Sequence, residues 1–258
     1  MSNTPPNCAI LGFGYLGRPL AQKLYERGAE VAAVKRSLSS DDINLPIRLD
    51  TADLNHPDVF QEAFWQQYWA DKTTWFCLLP PSALKDYCGS LRQWVALAEQ
   101  FGVQHIVFCS STGVYGERVR ECDEHTPPEP QTDNARHILA VETLLWESRI
   151  PNIDILRLGG LYSAERHPVS RLLLQKNISG GKRPVNVVHQ DRAVDALLQT
   201  AFDPQGRKLR NIVEPDHPGR AEFYAAEAAK LGLPPPDFNP EDISGGKIVR
   251  SIFQDRQA

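Results

Sequence analysis

The segment GFGYLG at 12–17 carries three glycines at the spacing that lets a backbone wrap around a diphosphate. It follows the apolar run CAILG at 8–12 and opens an amphipathic stretch, 15–27, in which Leu16, Leu20 and Leu24 share one helical face. In that strand–turn–helix setting each glycine has a separate reason. Gly12 permits the tight turn, Gly14 lets the main chain approach the pyrophosphate, and Gly17 lets helix and strand pack closely. Tyr15 and Leu16 complete the loop. A helix N-terminus behind it would turn unpaired N–H groups and partial positive charge toward phosphate oxygens. The plain alternative is a glycine-rich turn with no ligand.

The end of the next strand chooses between the two dinucleotides. An acid about 20 residues past the loop would bind a ribose 2′-hydroxyl. Here the sequence reads Val34-Lys35-Arg36-Ser37. Lys35 and Arg36 would pair with a 2′-phosphate, Arg36 in bidentate fashion, and Ser37 would add a hydroxyl donor. The reading is therefore NADP ahead of NAD, against the alternative of two solvated cations. Asp53, after the third strand, can accept from an adenine amino group or can cap a helix. Leu79 and Pro80, with Pro81 and Ser82, end the fourth strand on the edge that faces a ligand in open α/β sheets; Ser82 can instead cap the following helix.

At the end of the fifth strand stand Ser110, Ser111 and Thr112, whose hydroxyls can meet a ligand or can satisfy local turn amides. Tyr115 can stack or donate beside them, or can be a buried aromatic. On the next helix, His137 offers an imidazole that titrates near neutrality and so can act as acid and base, or can be a surface histidine beside Arg136. Arg157, Tyr162, His167, His189 and Asp191 gather later in the chain; His189 and Asp191 read as a pair that caps the following helix, with Asp191 taken as structural.

The elements that must position these groups alternate regularly. Apolar runs at 8–12, 30–34, 47–49, 74–79, 105–110 and 154–158 predict buried parallel strands. Helical stretches at 15–27, 57–69, 83–101 and 135–148 lie between them, giving an α/β, Rossmann-type, doubly wound sheet. Past residue 160 the pattern weakens, with helices at 168–175, 190–202 and 219–231 and strands near 185–188 and 210–213. The organisation predicted is a dinucleotide-binding core over 1–160 and a small, discontinuous substrate-side part over 161–258, interleaved with the core's last elements. The tryptophans at 65, 69, 75, 94 and 146 sit among apolar neighbours and read as core or interface.

Composition narrows the function classes. The 258 residues carry a net charge of −4 with a pI near 6.0, so no general basic field draws nucleic acid. No apolar run approaches the ~18 residues of a membrane span. The opening MSNTPPN has no apolar stretch behind it and reads as no signal peptide. Five scattered cysteines without a C-x-x-C pair argue against zinc and for a reducing cytoplasm. The partner expected is a small-molecule substrate.

With the glycine loop, Asp53-Leu54 and SSTGVYG at 110–116 in order, the chain resembles the short-chain dehydrogenase/reductase superfamily, in its extended, epimerase/dehydratase-like branch. RLGGLY at 157–162, VVHQDRAVDAL at 187–197 and the stretch 211–236 extend the resemblance over nearly the whole chain. It implies an NADP-dependent oxidoreductase or epimerase-like activity on a small carbonyl, hydroxyl or sugar-nucleotide-like substrate. It also implies Ser111 as the catalytic serine and, through the helices 83–101 and 135–148, a homodimer. The superfamily's Tyr-x-x-x-Lys pair falls on Asn134 and Ile138, neither of which can do the same chemistry. That departure leaves the proton to His137, Tyr115 or water. It also keeps open a second reading, a protein that senses NADP(H) without turnover.

Overall fold

The computed structural model describes residues 5–42 and 45–253. Seven parallel strands form one sheet: β1 (Cys8–Leu11), β2 (Val31–Lys35), β3 (Arg48–Thr51), β4 (Thr74–Cys77), β5 (His105–Ser111), β7 (Asn152–Leu158) and β10 (Arg207–Ile212). Their order is β10-β7-β5-β4-β1-β2-β3. The chain builds outward from β1 to β3, then crosses back to β4 and builds the other way. Between β1 and β4 the connections leave in opposite directions, and there a crevice opens beyond the strands' carboxyl ends.

Both faces of the sheet are covered, which is why its central strands read as unbroken apolar runs. Alternation along β1 shows the two sides: Cys8 and Ile10 join one core cluster, Ala9 and Leu11 the other. On the first side lie α1 (Gly17–Glu26) and α5 (Gln190–Phe202), through Leu20, Leu24, Val194 and Leu197. On the second lie α2 (Tyr87–Gln100) and α3 (Asp133–Glu147), through Leu91, Trp94, Val141 and Leu145.

Several expectations are corrected. The segment 57–69 is not one α-helix. It is a 3₁₀ turn at Val59–Gln61 and a π-helical turn at Trp65–Trp69. The rings decide this: Trp65 and Trp69 meet edge to face at 4.6 Å, Trp69 meets Trp75 at 5.0 Å, and the Trp65 indole donates to the carbonyl of Val59 at 2.7 Å. Helix α2 starts later than residue 83, because Asp86 caps it by accepting from the Gly89 amide at 2.8 Å; Ser82 sits in a separate 3₁₀ turn. At the start of α5 the expected pair is present, His189 Nδ1 lying 3.5 Å from Oδ2 of Asp191, and the capping group is His189, whose Nδ1 accepts from the Asp191 amide at 3.3 Å. The late elements read from sequence are all present. Helix α5 keeps its ends, while α4 (Val169–Leu172), α6 (Arg220–Lys230), β9 (Val187–His189) and β10 have theirs shifted.

Two small parallel ribbons tie the late residues back to the core, and of their strands only β9 is expected from the sequence. β8 (Gly160–Tyr162) pairs with β9, and β6 (Glu121–Cys122) pairs with β11 (Ile248–Val249). With β10 in the main sheet, the residues after 160 are woven through the first half of the chain. Among the described residues no helix is long and apolar enough to cross a membrane.

Candidate functional site

A cavity of about 760 Å³ runs along the carboxyl ends of β1, β2, β4, β5 and β7. Of the residues read as cofactor ligands, Gly12, Gly14, Tyr15, Leu16, Lys35, Arg36, Ser37, Asp53, Leu79, Pro80 and Ser110 line it, and Gly17 lies beneath it.

The glycine turn sits at its centre. Gly12 has φ +104°, a conformation that side chains resist. A Cβ on Gly17 would stand 2.3 Å from the carbonyl oxygen of Gly12, so this glycine is required by the packing of α1 on β1. Gly14 differs from both. It is exposed, and a Cβ there would meet no protein atom within 4 Å. Nothing in the protein's own packing requires glycine at 14; a side chain would simply occupy the cavity. That is the signature expected of a main-chain cradle for a diphosphate. The loop is held from behind by Gln190, whose side chain donates to the carbonyl of Tyr15 at 2.6 Å. The first turn of α1 carries no acid that would oppose an anion.

At one end of the cavity lie Lys35, Arg36, Ser37, Asp53 and Asn55. Lys35 is not a free cation: its Nζ lies 2.6 Å from Oδ2 of Asp42. Asp53 forms a local turn, accepting from the Asn55 amide at 3.1 Å and its side-chain amide at 2.9 Å. Those bonds to Asn55, helped by Arg36 and Lys85 nearby, hold the Asp53 carboxyl below its ordinary range. No α-helix follows, so the helix-capping reading of Asp53 is not realised.

At the other end stand Leu79 and Pro80, then Cys109, Ser110 and Ser111 from β5, with Asn134 and Ile138 from α3 facing them. Tyr87 braces the proline wall by donating to the carbonyl of Leu79 at 3.0 Å. The two serines are chemically different. Ser110 donates to Oε1 of the buried Glu142, and Arg157 grips the same carboxylate at 3.0 and 2.6 Å. With its proton engaged, Ser110 can only accept toward the cavity. Ser111 accepts from the Gly113 amide at 3.1 Å, which leaves its own O–H free to donate. Lys247, buried, fixes this turn by donating to the carbonyls of Thr112 at 3.0 Å and Gly116 at 2.6 Å. Burial pushes the Cys109 thiol well up, so a thiolate is not available there.

Two of the three candidate catalytic residues are elsewhere. Tyr115 is fully buried beneath the turn, its hydroxyl donating to Asn211 at 2.9 Å and its ring 4.8 Å from the Arg157 guanidinium. Its bulk fills the core in preference to the cavity, and burial raises its pKa. His137 is exposed on α3, one residue before the cavity-facing Ile138 and so turned about 100° away from it. Arg136 pairs with Asp133 at 2.8 Å. His167 is buried with Nε2 3.3 Å from Glu227, and burial lowers its pKa. The Tyr162 ring packs between His167 and His189, at 5.7 and 5.2 Å.

Sequence reasoning missed Asn55 and Arg166, which line the cavity, the latter with its guanidinium 5.0 Å from the Tyr15 ring centre. It also missed the Glu142–Arg157 pair as a unit. A signal existed for the pair: an acid on the apolar stripe of a helix and a base inside the apolar run DILRL each need a partner if buried.

No protein-family model matches the chain. Protein YeeZ of Escherichia coli (strain K12) is 33% identical to it over 247 residues, which cover 93% of this chain and 90% of that protein. Among solved structures, MoeE5 in complex with UDP-glucose and NAD is similar with a TM-score of 0.77 and 21% identity, over 96% of this chain and 90% of that one. The UDP-glucose 4-epimerase of Thermus thermophilus in complex with NAD is similar with a TM-score of 0.75 and 18% identity, over 95% and 90%. At those identities the likeness to solved structures is one of fold.

Proposed function

This chain belongs to the same family as Protein YeeZ, and on that footing we propose that it is a nicotinamide-dinucleotide oxidoreductase or epimerase-like enzyme of the epimerase/dehydratase-like branch of the short-chain dehydrogenase/reductase superfamily. Its cofactor is NADP ahead of NAD, and its substrate a small carbonyl, hydroxyl or sugar-nucleotide-like compound. The observation that carries the reading is Gly14, a residue with no packing reason to be glycine, opening onto a cavity that extends from Arg36 to Ser111. NAD in the MoeE5 and Thermus thermophilus structures supports a nicotinamide dinucleotide as the ligand.

Gly12, Gly14 and Leu16 would hold the diphosphate through their main chain, while Arg36 and Ser37 meet the adenosine end. Hydride chemistry is supplied by the nicotinamide ring when a dinucleotide is bound. Ser111 would donate its free O–H to the substrate oxygen and so stabilise negative charge there. Ser110 would accept from a neighbouring hydroxyl or amide and so orient the ligand. Asn134 can hydrogen-bond but cannot relay a proton at neutral pH, and Ile138 supplies no charge. The proton therefore comes from water in the cavity.

The same two residues favour a second reading, an NADP(H)-binding protein without turnover. One experiment separates them: pure protein is given NADPH or NADH with a panel of carbonyl compounds and UDP-sugars. Binding is followed by calorimetry, oxidation by nicotinamide absorbance, and epimerisation, in parallel samples given NADP or NAD, by chromatography of the UDP-sugars. Net oxidation or a changed UDP-sugar supports the enzyme. Tight binding with neither across the panel supports the sensor. Failure to bind either dinucleotide overturns both.

A further inference from the structure

The cation beside the cavity that sequence places first, Lys35, is already paired. One oxygen of Asp42, Oδ2, receives the Lys35 ammonium at 2.6 Å, the Ser39 amide at 2.7 Å and the Ser39 hydroxyl at 2.7 Å. The Asp42 side chain is 2% exposed, so it takes no part in lining the cavity. This arrangement closes the chain from Lys35 to Asp42 into a ring and leaves Arg36 and Ser37 at its crest, both exposed and both on the cavity. Hydrogen bonds from Lys35 and Ser39 hold Asp42 ionised, with its pKa drawn down to about 2.

We infer that Asp42 is a specificity-determining residue: by neutralising Lys35 it withholds one of two cations from a 2′-phosphate and leaves Arg36 as the residue that separates NADP from NAD. The inference rests on the dinucleotide reading proposed above and deepens it. An anion approaching Lys35 meets a carboxylate 2.6 Å behind the ammonium, and at phosphate distance the two opposite charges largely cancel. Arg36 has the planar fork that suits a phosphate and, on the ring's crest, the approach to use it. Asp42 thus sets a moderate preference where two free cations would set a strong one.

The test measures NADP and NAD affinity by calorimetry for the wild type, Arg36→Ala, Asp42→Asn and the double variant Lys35→Gln/Asp42→Asn. Arg36→Ala is expected to weaken NADP by about tenfold and to leave NAD within about twofold, as loss of one charge-assisted contact requires. Asp42→Asn keeps an acceptor for Ser39 and releases Lys35, so NADP is expected to tighten by about tenfold with NAD unmoved. The double variant is expected to return to the wild-type NADP:NAD ratio, because the pair it removes contributes no net charge. An unchanged ratio in Asp42→Asn overturns the inference. So does a gain that persists in the double variant, which would credit the lost negative charge instead of the released lysine. Should Asp42→Asn fold poorly, the double variant decides alone: a roughly tenfold loss of NADP affinity relative to wild type would show that Lys35 serves the phosphate after all. Failure of the wild type to bind either dinucleotide is a distinct result, and it removes the dinucleotide reading itself.

Discussion

Two glycines three residues apart are needed for different reasons, and substitution tells them apart. Gly17→Ala places a methyl 2.3 Å from the Gly12 carbonyl oxygen, so it should destabilise the fold by roughly 1–3 kcal/mol, read from denaturant unfolding. In Gly14→Val the added Cβ meets no protein atom within 4 Å, so the variant should melt almost as the wild type does, yet lose dinucleotide affinity by about tenfold or more. An unaltered affinity in Gly14→Val would remove the diphosphate from this turn. Ser111→Ala tests the other end of the cavity: turnover should fall by about 10²-fold or more while cofactor affinity stays nearly constant, the pattern of a lost transition-state contact. The glycines were legible from their spacing after an apolar strand, although only Gly12, by its φ of +104°, and Gly17, by its packing, are required by the fold itself. Tyr115 and His137 were not. A tyrosine after a serine turn can face the cavity or the core, and only the packing around Asn211 and Arg157 settles which. For His137, a helical step of one residue separates the cavity wall from solvent.

At the scale of elements, α3 and β7 are joined across the floor of the cavity by the Glu142–Arg157 pair, both partners buried. Glu142→Ala strands a guanidinium in the core and should cost about 3–5 kcal/mol of stability, measured by denaturant unfolding. It should also free the proton of Ser110. A loss below about 1 kcal/mol would mean that water already screens the pair. The strands were readable because a sheet covered on both sides needs continuous apolar runs, as in CAIL and TWFC. The segment 57–69 misled because its aromatic spacing fits an α-helix while the rings themselves, wedged against Trp75, set a tighter and then a wider turn. Strands β6, β8 and β11 are only two or three residues long, too short for any periodicity to register.

For the whole molecule, the folded state holds protons on its depressed carboxylates less readily than the unfolded state does. Asp42 goes from the usual 3.8 to about 2 on pairing with Lys35 and Ser39, and Asp242 goes to about 2 through Ser244 and Gly180. A carboxyl whose folded pKa is lower stabilises the protein above the unfolded value and loses that contribution as pH falls through the folded value. Stability should therefore decline between about pH 4 and pH 2, and Asp42→Asn should flatten part of that decline when unfolding is followed across the range. A variant with the wild-type slope would show that Asp42 is unpaired in solution. Deeper in the same molecule, Trp65, Trp69, Trp75 and Trp94 form a file of indoles with centres 4.6, 5.0 and 5.6 Å apart, all away from solvent and none on the cavity. Excitation of any one is shared along the file. Its emission overlaps the absorption of a reduced nicotinamide but not of an oxidised one. The protein thus carries its own optical reporter, which should dim when the reduced cofactor arrives and stay bright with the oxidised form.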